Sequence, residues 1–169
     1  QQPLSKYNSV RKFYKLNKNL RHIIYKCYNH SLCKHAAIDP YSSNIEKHYN
    51  KHPEDLRLQR RHGIVEFETT MYHLRRLLRP GMLLLDIGAG TGRYASALMA
   101  EGYKVKAVEL VRRNIEVFRQ RDPEADVVQG DARDLSFIPS ASADATLLLG
   151  PLYHLIGEEE KLKALREAR

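Results

Sequence analysis

The chain has 169 residues, 43% hydrophobic and 28% charged. That length supports one domain with a sizeable core, and no apolar run approaches the roughly 20 residues a membrane-spanning helix needs. Two cysteines give no disulfide framework and the N-terminus has no signal-peptide apolar stretch, which points to a cytoplasmic protein.

The net charge of +8 is uneven: residues 1–62 hold 13 Lys and Arg against 4 acids, residues 63–169 hold 15 against 16. Residues 1–44 contain one acid and no glycine and are rich in Lys, Asn and Tyr, a bias unlike the rest of the chain, so they read as an extension outside the domain. Loose apolar spacing through Val10, Tyr14, Leu20, Ile24 and Tyr28 fits a basic amphipathic helix. Three readings of this segment stay open. It is an arm for nucleic acid or a membrane surface, a solvated tail, or an extension joined to the body by misassigned coding boundaries, since Lys, Asn, Tyr and Ile have A/T-rich codons. Cys27, His30, Cys33 and His35 crowd four metal donors into nine residues. Structural zinc sites bring ligand pairs from separate elements, so no metal site is expected here.

Residues 45–80 form a second segment. Positions 54–78 have helical spacing (Leu58, Val65, Thr69 or Tyr72, Leu77) and stop at Arg79-Pro80-Gly81, where proline cannot continue a helix. From residue 81 strand and helix patterns alternate. Strands are expected at 82–87, 104–109, 126–129 and 144–149, and helices at 93–101, 111–121 and 158–168. The last helix leads with three glutamates, which suit the positive end of its dipole. Such alternation predicts a parallel sheet with a ligand site beyond the carboxyl ends of the strands, at the switch point.

Residues 83–109 read LLLDIGAGTGRYASALMAEGYKVKAVE. Gly88, Gly90 and Gly92 fall where a buried strand turns into a helix. Lacking Cβ, they permit positive φ and close approach of a ligand to the backbone. Glu109, 21 residues after Gly88, ends the next strand, where a carboxylate can accept bonds from ribose hydroxyls. A dinucleotide fingerprint needs its third glycine at position 93, and the chain has Arg93 there.

G-x-G-x-G preceded by Asp86 resembles motif I of the class I S-adenosylmethionine-dependent methyltransferases. Glu109 is similar to their motif II acid, Gly130-Asp131-Ala132 to the motif III clamp, and ADATLLLG at 143–150 to the motif IV strand, with Pro151-Leu152-Tyr153-His154 as its loop. From Ile45 onward the chain resembles small stand-alone bacterial members. The resemblance implies an α/β, Rossmann-like fold with S-adenosyl-L-methionine as cofactor. It implies cofactor contacts at Asp86, Gly88, Ala89, Gly90, Thr91, Gly92, Arg93, Glu109, Leu110, Asp131, Ala132 and Gly150. Tyr49, Arg57, Arg61, His62 and Glu66 resemble a helical lid, and Tyr49 and Arg61 join the expected contacts. A solvated, charged helix face is an equal reading of that segment.

The family fold has seven strands, and four are expected in residues 81–169, in order 3-2-1-4. The sequence is therefore read as a methyltransferase truncated at its C-terminus, with its fourth strand left as an unpaired edge. Tyr153 and His154 are the catalytic candidates: imidazole can take a proton from an amine or hydroxyl nucleophile, and a loop histidine can equally be a rim residue. Gly150-Pro151-Leu152-Tyr153 departs from the Asn/Asp-Pro-Pro-aromatic loop of base methyltransferases, which favours a small-molecule acceptor. Nucleic acid enters only through the basic N-terminal arm. The alternative is a non-catalytic binding module whose arm docks on RNA or a membrane surface.

Overall fold

A computed structural model of the chain describes residues 22–25, residue 45 and residues 61–169. Five parallel strands form one sheet: β1 (His22–Tyr25), β2 (Leu83–Ile87), β3 (Lys104–Glu109), β4 (Asp126–Gln129) and β5 (Ala145–Leu148). Among the described residues they are accompanied by the α-helices α1 (Arg61–Leu77), α2 (Arg93–Ala100), α3 (Arg112–Arg121) and α4 (Glu158–Glu167), with a 3₁₀ turn at Pro151–Tyr153.

The spatial order is β1-β5-β2-β3-β4. The four strands of the body thus keep the expected 3-2-1-4 order. From β2 the chain adds β3 and β4 on one side and then returns to place β5 on the other, so the switch point lies where β2 runs into the glycine loop. Register is fixed across that gap by Leu84 opposite Ala145 and Asp86 opposite Leu147. At the opposite end Asp144 holds the pair together, its Oδ2 accepting from the Leu83 amide at 2.8 Å and its own amide donating to Leu83 O at 2.8 Å.

Alternation along the strands sorts the core into two layers. Leu84, Val105, Ala107, Val127, Ala145 and Leu147 pack with Met71 and Leu74 of α1, Leu98 of α2, and Ile115 and Phe118 of α3. Leu85, Ile87, Val108 and Leu148 face the other way, onto Leu152, Leu155, and Ala164 and Ala168 of the α4 segment. β5 is buried along its whole length, as a strand covered on both faces should be.

One expectation is corrected. The fourth strand of the body, β5, is not an unpaired edge: His22–Tyr25 pairs with it in parallel, His22 opposite Ala145 through Tyr25 opposite Leu148. These four residues of the 1–44 segment therefore belong to the sheet, and Ile24 lies in a strand rather than an amphipathic helix. The physical reason is that a buried parallel strand leaves a row of backbone donors and acceptors at its side. His-Ile-Ile-Tyr supplies β-branched and aromatic residues suited to that place. Short apolar runs do not separate helix from strand by period alone. The cysteine and histidine cluster at 27–35 lies outside the described residues, as do residues 54–60 of the expected helix.

Candidate active site at the switch point

Three glycines follow β2, all at positive φ: 73° at Gly88, 58° at Gly90 and 78° at Gly92. Their reasons differ. A Cβ at Gly88 would lie 2.5 Å from the Pro151 ring, and one at Gly92 would lie 2.4 Å from the Phe118 ring. At Gly90 a Cβ would meet nothing within 4 Å. Two glycines are thus required by contact with the protein itself, and Gly90 is the one with open space beside its backbone. Gly92 provides the close helix packing that a dinucleotide fold obtains one residue later. Arg93, free of that duty, stacks its guanidinium over Phe67 of α1 at 4.6 Å, and Phe67 stacks on Tyr94 at 5.2 Å.

The loop amides are tied down. Gly88 and Ala89 donate to Val108 O at 2.8 and 3.1 Å, Gly92 donates to Ala89 O at 2.9 Å, and Gly90 donates to Glu109 Oε2 at 2.7 Å. Thr91 is buried, and its carbonyl accepts from Arg121 at 2.6 Å. Glu109 is 5% exposed, and its Oε1 accepts from the Val111 amide at 2.9 Å and from Asn114 Nδ2 at 3.2 Å. The expected ribose acid is therefore also the group that holds the glycine loop. Asn114, buried on α3, orients it and was not legible beforehand, since no motif marks that position.

Asp86 is 2% exposed, and its Oδ2 has no hydrogen-bond partner among the described residues. Burial, with the Glu109 charge adding to it, pushes its carboxyl up to about 7. An unpartnered buried carboxyl beneath a glycine loop suits a ligand that brings a donor or a positive charge.

On the far side of β3, Leu110 O accepts from Gln129 at 3.0 Å, and the Gly130 amide donates to Glu109 O at 3.1 Å. Asp131 is half-buried and Ala132 buried. Burial raises the Asp131 carboxyl, but hydrogen bonds from Arg133 outweigh it and hold the group below the usual carboxylate range. Gly150, two residues past the end of β5, lies close to the glycine loop, a Cβ there falling 3.4 Å from Gly88 O. Pro151 and Leu152 are buried, while Tyr153 is exposed and His154 half-buried. The Tyr153 and His154 amides are fixed on Gly150 O at 3.1 Å and Pro151 O at 3.0 Å. Of the lid residues, His62 and Glu66 lie on α1 and Arg61 opens it, its side chain outside the description, as are Tyr49 and Arg57 entirely.

A glycine loop, two buried acids and an acid-bearing turn converge on one switch point. Residues 85–169 match the methyltransferase domain family, half of the chain. The chain belongs to the S-adenosylmethionine-dependent methyltransferases. It is similar to the cypemycin N-terminal methyltransferase of a Streptomyces species, 34% identical over 89 residues, 51% of this chain and 36% of that one. Among solved structures it is similar to a possible histamine N-methyltransferase of Thermotoga maritima, with 26% identity, a TM-score of 0.55, and coverage of 76% of this chain and 55% of that one. A Pyrococcus horikoshii protein shares the fold at 20% identity and a TM-score of 0.63, over 72% of this chain and 58% of that one. The chain thus spans less than two thirds of each of these relatives. The family's cofactor is S-adenosyl-L-methionine. Among the described residues no helix is long and apolar enough to cross a membrane.

Proposed function

We propose that this protein transfers a methyl group from S-adenosylmethionine to an amine- or hydroxyl-bearing small molecule. The observation that carries the reading is the open face of Gly90, whose amide donates to Glu109, in the loop that follows the buried Asp86 with its unpartnered Oδ2. A ligand with an ammonium group and a ribose matches both acids. Glu109 would hold the ribose, Asp86 and the loop from Gly88 to Arg93 the amino acid portion, and Leu110, Asp131 and Ala132 the adenine. The cofactor supplies an electrophilic methyl that already carries its leaving group. The protein's part is to orient the two reactants and exclude water.

The acceptor reading rests on the loop after β5. Pro151 is committed to Gly88 and Leu152 to the core, so the side chains of that loop left toward the outside are Tyr153 and His154. His154 would take the acceptor's proton and Tyr153 would line its entry. One relative is named as an N-terminal methyltransferase and another as a possible histamine N-methyltransferase, which supports an amine acceptor here.

Calorimetry with S-adenosylhomocysteine tests the cofactor half: one site per chain is expected, with NAD not competing. Glu109→Ala should weaken it by roughly 1.5 to 3 kcal/mol, the worth of hydrogen bonds to a charged group. Transfer of a labelled methyl group to a panel of amines, alcohols and oligonucleotides tests the acceptor half. Labelling of oligonucleotides alone would overturn the small-molecule reading.

A further inference from the structure

The turn after β4 is bound to α4 by two carboxylates. Glu160 pairs with Arg133 Nη1, and Glu167 Oε2 accepts from the Leu135 amide at 2.7 Å. The two glutamates are seven residues apart, so they share one face of α4, the face whose Ala164 and Ala168 are buried against Leu135 and Ala132. Arg133 reaches from this anchor to Asp131. Its backbone amide and Nε donate to Asp131 Oδ1 at 2.9 and 3.0 Å, and its Nη2 donates to Oδ2 at 2.7 Å, with Nε also 3.1 Å from Oδ2.

We infer that Arg133 is a positioning residue that sets the ligand's base specificity, fixing the Asp131 carboxylate so that it accepts from an exocyclic amine. The inference rests on the reading of Asp131 as the adenine-side acid. A carboxylate offers about four lone-pair directions, and Arg133 brings three protons to Asp131, that of Nε shared between the two oxygens. What remains is one direction on Oδ2. A group held in that way accepts one donor at one angle, which an adenine amine supplies and a hypoxanthine carbonyl opposes. A flexible carboxylate would turn away from the carbonyl and lose the discrimination. Lysine cannot replace the fork, because its ammonium is a point charge without the planar geometry. Glu160 holds the other side of the guanidinium, so α4, the helix that follows the Tyr153-His154 loop, sets the angle from the acceptor side of the site.

The test is calorimetry on the full chain with S-adenosylhomocysteine and S-inosylhomocysteine. The wild type should prefer the adenosyl ligand by roughly tenfold or more. Arg133→Gln should lose most of that preference while binding the inosyl ligand nearly as before. Arg133→Lys should fall between, and Glu160→Gln should shift the ratio in the same direction by less. If Arg133→Gln weakens both ligands equally, its role is only structural and the inference fails. It fails too if the wild type binds both ligands alike. A wild type that binds neither removes the cofactor reading itself, a distinct result. Should Arg133→Gln not fold, the Lys and Glu160 variants carry the same comparison, with melting curves confirming that they are folded.

Discussion

At the scale of single residues, the glycine loop separates two demands that the sequence writes with the same letter. Gly92 has a φ of 78° and the Phe118 ring where a Cβ would go. Gly92→Ala should therefore cost at least about 2 kcal/mol, from left-handed strain and overpacking together, and lower the melting midpoint by roughly 10 °C or more. Gly90→Ala meets no atom and should cost only the strain, about 1 kcal/mol, yet lose more affinity for S-adenosylhomocysteine than its stability change accounts for. Asp86 adds a pH signature. Its folded-state value, raised by burial to about 7, lies above the 3.8 of an ordinary carboxyl. The unfolded chain therefore gives up the proton first, and stability falls as pH rises between the two values. Above pH 7 the penalty is complete, at most roughly 4 kcal/mol. Urea unfolding from pH 4 to 8 should show this slope in the wild type and its loss in Asp86→Asn, which should be the more stable protein at pH 8 and gain little at pH 4.

Among elements, β1 has the largest consequence. Its pairing covers one side of β5, which is buried along its length and otherwise presents a bare ladder to solvent. Removal of residues 1–44 should lower the melting midpoint and promote self-association, measurable by light scattering at low micromolar concentration. An unchanged midpoint and a monodisperse sample would mean that the strand adds nothing to the fold. α1 bears on the site differently: Phe67 meets both Arg93 and Tyr94 at the start of α2, so this helix adjoins the glycine loop through aromatic stacking. The lid reading of residues 45–80 stays a proposal that this contact supports.

For the whole molecule, two halves meet at the switch point. The glycine loop and the loop after β5 touch through Gly88 and Pro151, and α4 reaches the Asp131 turn through Glu160 and Glu167. The glycine loop and the loop after β5 are thus packed on each other. A change at either should be felt at both, provided its energy enters these shared contacts. Charge is divided in the opposite sense, with the positive excess in residues 1–62 and near balance after them. If the basic segment binds nucleic acid, that affinity should fall steeply with salt, whereas binding at the glycine loop should change little.

The amino-acid sequence by itself determined what is local. Glycine spacing, acids at strand ends and the alternation of periods were enough for the four body strands, whose observed limits differ from the expected ones by at most one residue at each end. They were also enough for the family and its cofactor. The short 3₁₀ turn at Pro151–Tyr153 went unread because three residues carry no period. Only the tertiary structure decided which glycines face protein, because Pro151 and Phe118 lie 63 and 26 positions from the glycines they touch. The place of β1 was likewise decided by an edge formed from residues 145–148, far along the chain. So was the role of Arg133, a polar residue in a turn until α4 brings Glu160 beside it. Local pattern records which backbone and which face a residue prefers. The partner it meets is set by where the chain returns, and that depends on how the whole sheet packs.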